Sequence, residues 1–177
     1  MGEILSPKPV KLFIAVTYQH DAHYQEVLSQ LKERFGNVEQ LIKYDFTAFT
    51  DYYNSEMGNH LYKVIMSFET LISKEKTASL KHYSNEIESQ SANKKEYPMK
   101  RAVNIDPGYL TEAKVILLTT KNFAHRIYIG NGIFAEITLT YRKNSYTFNN
   151  WTYPDYKSQK VISYFNDVRI KYREQIL

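Results

Sequence analysis

The sequence feature that most restricts the fold is an alternation of apolar and polar residues on both sides of Gly130-Asn131-Gly132. A period of two predicts strands, and Gly with Asn favours a tight turn, so residues 122–142 predict a β-hairpin. A two-residue loop would place Ile127 opposite Glu136 and mix polar with apolar residues on each face. The three-residue loop keeps the faces separate, with the pairs Arg126–Glu136, Ile127–Ala135, Tyr128–Phe134, Ile129–Ile133 and His125–Ile137.

The predicted hairpin has an apolar and a polar face. We expect the apolar face in the core: Ile127, Ile129, Ile133, Ala135, Ile137 and Leu139. The polar face carries Asn122, Arg126, Tyr128, Phe134, Glu136, Thr138 and Thr140. Three interpretations of the polar face remain open. It is a solvated face with an Arg126–Glu136 pair, a structural network covered by the terminal helix or aromatic loops, or a ligand cleft.

His125 has two predicted positions. In the hairpin register it falls on the apolar face, as a core residue. If the strand begins after it, His125 lies with Lys121 and Asn122 in the preceding loop.

Hydrophobic periodicity predicts the other elements. Strand-length runs occupy residues 11–17, 38–46, 61–68, 102–105 and 114–120, with an edge strand at 145–148. Helical spacing predicts helices over 21–35, with Asp21 as N-cap and Gly36 beyond the end, and over about 75–91, with Ser73 as N-cap. A third helix ends the chain, with Val161, Phe165, Val168 and Tyr172 on one face.

The remaining segments predict loops. Asp106-Pro107-Gly108 predicts a turn by its chemistry, residues 47–58 an aromatic loop or short helix, and residues 92–100 a polar, solvated loop. The order through residue 105 is strand–helix–strand–strand–helix–strand, which is ferredoxin-like. We therefore expect residues 1–177 to form one α+β domain. Its mostly antiparallel sheet has helices packed on one face, plus an added β-hairpin and a C-terminal helix.

Composition excludes several classes of function. The 177 residues contain no cysteine, which rules out disulfide scaffolds, thiolate metal sites and a cysteine nucleophile. There is no phosphate loop, dinucleotide fingerprint or nucleophile elbow. His20 and His23 have metal-like spacing but no further ligand stands out, so we expect no metal. A net charge of +4, spread along the chain, is a mild bias toward anionic ligands. No signal peptide or membrane-spanning run is evident, so the cytoplasm is expected and no membrane partner.

Aromatic residues make up 15% of the chain, including 16 tyrosines, and several lie close to charged residues. The cluster from Trp151 to Tyr156 predicts either an aromatic lid on the sheet or a platform that stacks bases or sugars.

Several segments carry a family resemblance: KPVKLFI at 8–14, YYNSEMG at 52–58, NIDPGYL at 104–110, TTKNFAHRIY at 119–128 and WTYPDY at 151–156. They resemble the bacterial domain of unknown function 4416 family over nearly the whole chain. Members are sometimes labelled GTP-binding, but no phosphate loop is present here, and the resemblance implies no activity or cofactor. Ala124 stands where the family usually has serine. The resemblance assigns the following residues to the family pattern: Tyr53, Glu56, Asp106, Lys121, Asn122, His125, Arg126, Glu136 and Trp151.

The expected function is binding of an anionic small molecule, a nucleotide or phosphorylated metabolite, in a polar pocket on the sheet. Lys121 and Arg126 would hold the anion, with Asn122, Asp106, Tyr53, Glu56 and Trp151 as further ligand-binding residues. If the protein is an enzyme, Glu136 and His125 would supply acid–base catalysis. The alternative, less favoured than a small anionic ligand, is a non-catalytic module that binds RNA or protein through a surface rich in Tyr and Trp. It requires Trp151, Tyr153 and Tyr156 to be exposed and nearly coplanar, with a basic groove.

Overall fold

The elements of the chain follow the predicted alternation of strands and helices. The computed structural model describes residues 2–92 and 99–177, so most of the predicted polar loop at 92–100 lies outside the described residues. The strands are β1 (Val10–Tyr18), β2 (Val38–Asp45), β3 (Tyr62–Ile72), β4 (Val103–Leu110), β5 (Lys114–Thr119), β6 (Arg126–Gly130), β7 (Ile133–Arg142) and β8 (Ser145–Phe148). The helices are α1 (Asp21–Phe35), α2 (Asn54–Met57), α3 (Thr77–Ala92) and α4 (Gln159–Ile176). Single 3-10 turns at Lys74–Lys76 and Asp155–Lys157 precede α3 and α4.

All described strands belong to one sheet, in the order β2-β3-β1-β4-β5-β7-β6, with β8 also paired to β7. Every pairing is antiparallel. The order β2-β3-β1-β4 is the ferredoxin-like arrangement, and the hairpin extends the sheet beyond β5. The predicted α+β class and mostly antiparallel sheet are therefore confirmed.

The helices cover both faces of the sheet, not one. α1 and α3 pack on the face that carries Leu12, Ile14 and Val16 of β1. α4 packs on the opposite face, against Phe13 and Ala15. Because β1 is buried along its whole length, most of its residues on both faces are apolar and both faces need a cover. The prediction of helices on one face holds for α1 and α3 and is wrong for α4.

The turn predicted at Asp106-Pro107-Gly108 is wrong, since all three residues lie inside β4. Pro107 pairs with Ile14 of β1, while β5 pairs with β4 only from Gly108 onward. The missing N–H of proline is tolerated where a strand has a paired neighbour on one side only. Gly108 is required by packing, because a Cβ there would lie 2.3 Å from the carbonyl oxygen of Ile116.

The register of the predicted hairpin is confirmed for three pairs: Arg126 with Glu136, Ile127 with Ala135 and Tyr128 with Phe134. Next to the loop the prediction is wrong, because Ile133 pairs with Gly130 and Ile129 becomes a bulge. The cause is local: Gly130, Asn131 and Gly132 have φ of 107°, 53° and 75°. Three successive left-handed residues tighten the loop and leave one extra residue in β6.

The apolar hairpin face is only partly in the core. Ile133 is buried, but Ile127 is 70% exposed and Ile129 38% exposed, so the prediction is wrong for these two. Leu139 is buried in the core under α4, on the face opposite Ile133. An irregularity in the β5–β7 pairing, between Val115 and Ile116, accounts for the change of face.

The ends of α1 and α3 follow the predictions to within two residues. Asp21 is the first residue of α1 and not its N-cap, which is His20. Ser73 accepts a hydrogen bond from the N–H of Glu75, as a cap does, and Gly36 closes α1 with a positive φ. α2 is the short helix allowed for residues 47–58. Among the described residues, no helix has the length and apolar character that a membrane crossing requires.

Candidate functional site

A cavity of about 490 Å³ lies between the sheet, α3 and the segment Tyr153–Tyr156, and its volume is in the range typical of small-molecule sites. The sheet forms one wall, and aromatic residues from the segments 46–53 and 153–156 form the other. The charged residues that line it are Lys63, Lys81, Glu88, Arg101, Asp106, Lys121, Glu136 and Asp155. The aromatic residues are Phe46, Phe49, Tyr52, Tyr53, Tyr153 and Tyr156.

The cavity exists because β4 and β5 separate. The two strands pair only where Gly108–Leu110 of β4 meets Val115–Leu117 of β5. Asn104 and Asp106 line the cavity from β4, whereas Leu118 and Thr119 line it from β5. Since no ladder joins these two stretches, side chains from α3 can reach the space between them.

Polar residues of α3 at helical spacing line this opening: Lys81, Asn85 and Glu88. The ammonium of Lys81 is buried and donates to the carbonyl oxygen of Ile105 at 2.7 Å. It also lies 3.6 Å from Asp106 Oδ1 and 3.9 Å from Glu88 Oε1. Lys81 is therefore held between two carboxylates at the gap in the sheet.

Glu88 connects the gap to Arg101. Its carboxylate accepts hydrogen bonds from the N–H of Ile105 at 2.6 Å and from Arg101 Nη2 at 2.7 Å. Burial raises the pKa of Glu88, although Lys81, Arg101 and the Ile105 N–H oppose the shift. This network fixes the inner wall of the cavity.

Arg101, the first residue after the predicted loop at 92–100, belongs to this network. Besides Glu88 it binds Asn104 Oδ1 at 2.6 Å and Glu56 Oε2 at 3.4 Å. Burial alone would lower the pKa of Arg101, but the neighbouring Glu88 and Glu56 raise it. Glu56, predicted as a ligand-binding residue, does not line the cavity and supports Arg101 from outside it.

A second buried ion pair lies at the aromatic end of the cavity. Lys63 Nζ is 2.7 Å from Asp155 Oδ2, and both side chains are buried. The hydroxyl of Tyr44 donates to the same oxygen at 2.9 Å. The ammonium of Lys63 also lies 3.7 Å from the centre of the Phe46 ring, a cation–π contact.

Glu136 is 2% exposed and lines the cavity from β7. Arg126 Nε donates to its Oε2 at 2.8 Å, His125 Nε2 lies 3.3 Å from the same oxygen, and Thr138 donates to Oε1 at 3.4 Å. The interpretation of this face as solvated is therefore wrong for Glu136 and Thr138, which are buried, although Asn122 and Tyr128 on the same face are exposed. The side chains form the buried network of the second interpretation, and one of them also borders a cavity.

Arg126 bridges the wall and the preceding loop. Its Nη2 donates to the hydroxyl of Tyr153 at 3.0 Å and its Nη1 to the carbonyl oxygen of Lys121 at 3.1 Å. Burial alone would lower the pKa of Arg126, but Glu136 raises it. Arg126 positions lining residues and does not itself line the cavity.

His125 lies before β6, in the loop with Lys121 and Asn122, which is the second of its two predicted positions. Its ring stacks on Trp151 with centroids 5.2 Å apart and planes at 11°. The indole N–H of Trp151 donates to the carbonyl oxygen of Ile137 at 2.9 Å. Both rings line a second groove, near Ile127, that meets the main cavity only at Glu136.

The other predicted site residues fall into two groups, those that line the cavity and those that do not. Lys121, Asp106 and Tyr53 line the cavity, as predicted for a pocket, whereas Asn122 is exposed and does not. Lys121 Nζ donates to the hydroxyl of Tyr52 at 3.3 Å and, within residues 2–92 and 99–177, contacts no carboxylate. Burial raises the pKa of Tyr53 and of Tyr153, so both phenols keep their protons at neutral pH.

Sequence reasoning missed Lys63, Lys81, Glu88, Arg101 and Asp155 as cavity residues. One signal was present for α3: Lys81, Asn85 and Glu88 share a face by the i, i+4, i+7 spacing of a helix, where the apolar stripe is thin. For Lys63 and Asp155 the sequence offers no comparable signal, since 92 positions separate them.

The predicted stacking platform is not formed. Tyr156 is 2% exposed and its hydroxyl has no hydrogen-bond partner among the described residues, while Trp151 and Tyr153 are partly exposed. The segment from Trp151 to Tyr156 instead matches the other interpretation, an aromatic lid on the sheet. Among the described residues, no cluster of three or more His, Asp or Glu is arranged to hold a metal ion.

Comparisons with known proteins agree with the resemblance carried by the motifs. Residues 8–172 match the family described as Domain of unknown function (DUF4416). Comparison with curated proteins and with solved structures found no match. Because the match covers nearly the whole chain, this protein belongs to the DUF4416 family.

Proposed function

We propose that this protein binds a small anionic molecule, a nucleotide or phosphorylated metabolite, in the cavity between β4 and β5. The observation that carries the proposal is which of the lysine and arginine side chains lining the cavity are already paired with carboxylates. Lys63, Lys81 and Arg101 are each paired with carboxylates, whereas Lys121, among the residues that the structure describes, contacts the hydroxyl and ring of Tyr52 and no carboxylate. An anion can thus bind Lys121 without breaking an internal ion pair.

The walls fit a ligand with a ring as well as a charge. Tyr52 and Tyr53 contact each other edge to face, with centroids 5.0 Å apart, next to Lys121. Tyr153 faces the same space and is held by Arg126. Aromatic walls with a few convergent polar groups are typical of small-molecule sites.

Glu136 is the group best placed for acid–base chemistry if the ligand is turned over. Its carboxylate borders the cavity, and His125 shares its Oε2 oxygen. Arg126 Nε holds the Glu136 carboxylate in place at 2.8 Å, beside the space a substrate would occupy, which is the geometry a general base requires. We also propose that the protein acts in the cytoplasm of a bacterium.

The competing interpretation, an RNA- or protein-binding module with an aromatic surface, has less support. It requires Trp151, Tyr153 and Tyr156 to share an exposed surface, and Tyr156 is buried. Salt-dependent RNA binding by the purified protein, with no small-molecule binding, would favour it over the cavity.

The test begins with native mass spectrometry of the purified protein for a retained ligand. Titration calorimetry then uses inorganic phosphate, ribonucleoside monophosphates and sugar phosphates. We expect Lys121→Met to weaken binding roughly tenfold to a hundredfold, the effect of losing one charge-assisted contact. Lys32 is exposed on α1, so Lys32→Met is a matched control with the same change in charge. It should bind like wild type.

Arg126→Ala should also weaken binding, because Tyr153 loses its partner, and Glu136→Gln should reduce turnover of any substrate. Folded Lys121→Met, Arg126→Ala and Glu136→Gln proteins that all behave like wild type toward every ligand would contradict the proposal.

A further inference from the structure

The outer edge of β6 differs from the opposite edge of the sheet. β2, at the other end, carries the charges Glu39, Lys43 and Asp45, which discourage pairing with another strand. β6 has a single charged residue, Arg126, and its guanidinium is turned inward to Glu136. Within the part of the chain that the structure describes, β6 pairs with β7 alone.

The apolar side chains of this edge are exposed. Ile127 and Ile129 line a groove of about 270 Å³, together with Ile116, Ile137 and Trp151. Among the described helices, none covers these two isoleucines, and Tyr128 between them is exposed on the other face. An uncharged apolar edge strand beside an apolar groove is a surface built for strand addition.

We propose that β6 pairs with β6 of a second copy of this chain, antiparallel, about a two-fold axis at Tyr128. The sequence Ile127-Tyr128-Ile129 reads the same in both directions. Two-fold pairing therefore sets Ile127 of one copy opposite Ile129 of the other, and Tyr128 opposite Tyr128. Such an interface is isologous, and it closes after two copies.

The symmetry of the strand selects a second copy over an unrelated peptide. The isoleucines of both copies fall on the groove face, where Ile116 and Ile137 line the floor. Arg126 falls opposite Gly130, so no like charges meet across the axis. The dimer joins the two sheets into one, and the groove shares only Glu136 with the residues that line the cavity at Lys121.

Because the sequence has no cysteine, a Tyr128→Cys variant carries a single thiol. Disulfide formation between two copies then tests the proposed pairing directly. Residues opposite each other in an antiparallel pair have Cα atoms about 4.5–5.5 Å apart, which is within disulfide reach. We expect mild oxidation to convert Tyr128→Cys to a covalent dimer on a non-reducing gel. Ile170→Cys, exposed on α4, should remain a monomer on that gel.

Sedimentation velocity tests the unmodified interface. Wild type should sediment as a dimer, and Ile127→Lys as a monomer with unchanged circular dichroism, since Ile127 is exposed within one copy. Ile170→Lys should remain a dimer. A wild-type protein that is monomeric at all attainable concentrations would overturn the proposal. So would a dimer that Ile127→Lys leaves intact, or a Tyr128→Cys protein that cross-links no faster than Ile170→Cys.

Discussion

Lys63 shows how a single residue can link stability to the candidate site. Its ammonium is buried and makes one ion pair, with Asp155, whose other donor is Tyr44. Taking two charges out of water is costly, so the pair adds less than its short distance suggests. Loss of one partner is different, because the other charge then remains buried without compensation.

We therefore expect Lys63→Met to lower the free energy of unfolding by about 3–5 kcal/mol. The double variant Lys63→Met/Asp155→Leu should recover much of this loss, because no buried charge is left. Urea denaturation measures both. Arg173→Met, which breaks the exposed pair with Glu112, is the control and should cost at most about 1 kcal/mol. Equal losses in Lys63→Met and the control would show that the Lys63 pair is solvated.

At the scale of an element, α4 depends on the residue that precedes it. Ser158 accepts a hydrogen bond from the N–H of Val161 at 3.4 Å and donates to the carbonyl oxygen of Asp155 at 2.7 Å. The same hydroxyl thus caps the helix and ties it to the turn that holds Asp155 and Tyr156. The start of α4 and one wall of the cavity are fixed together.

Ser158→Ala should lower the free energy of unfolding by about 0.5–2 kcal/mol, the usual effect of losing an N-cap. Ser163→Ala, on an exposed position within α4, should be neutral or slightly stabilising, because alanine has the higher helix propensity. Thermal melts followed by circular dichroism measure both variants. If Ser158→Ala melts like Ser163→Ala, the cap does not stabilise the helix.

Across the whole molecule, the tyrosines fall into two groups by burial. Burial raises the pKa of Tyr44, Tyr53, Tyr146, Tyr156 and Tyr164 above the ordinary value. The folded state therefore holds these protons more tightly than the unfolded chain does. Their contribution to stability is complete below about pH 10 and is lost as the pH rises above it.

Alkaline titration should accordingly remove the phenolic protons of these five tyrosines only as the fold is lost. We expect the five buried phenols to ionise together with the loss of the far-ultraviolet circular dichroism, in one cooperative step. Tyrosinate absorbance recorded together with the dichroism measures whether the two changes coincide. Ionisation of all 16 tyrosines while the dichroism stays native would contradict this prediction.

Local sequence was sufficient wherever neighbouring residues decide the structure. The alternation around Gly130 predicted that Arg126 lies opposite Glu136, because a slip of one residue would reverse both faces. It did not predict that Ile127 is exposed, because coverage of a face depends on where distant helices end. Asp106-Pro107-Gly108 has the chemistry of a turn, but its conformation is imposed by the pairing with β1.

Residue patterns alone were thus enough for the element order, the sheet type, most of the hairpin register and three residues that border or support the cavity: Lys121, Arg126 and Glu136. Tyr53, Glu56 and Asp106 were implied by the family resemblance and not by the patterns. Long-range packing was needed to separate β4 from β5, and to bring Lys81 and Glu88 of α3 to Arg101 and Asp106 in the gap. Strand and helix periods are properties of neighbouring residues. The position of a cavity depends instead on where strand pairing stops, and residues far apart in the chain set that point together.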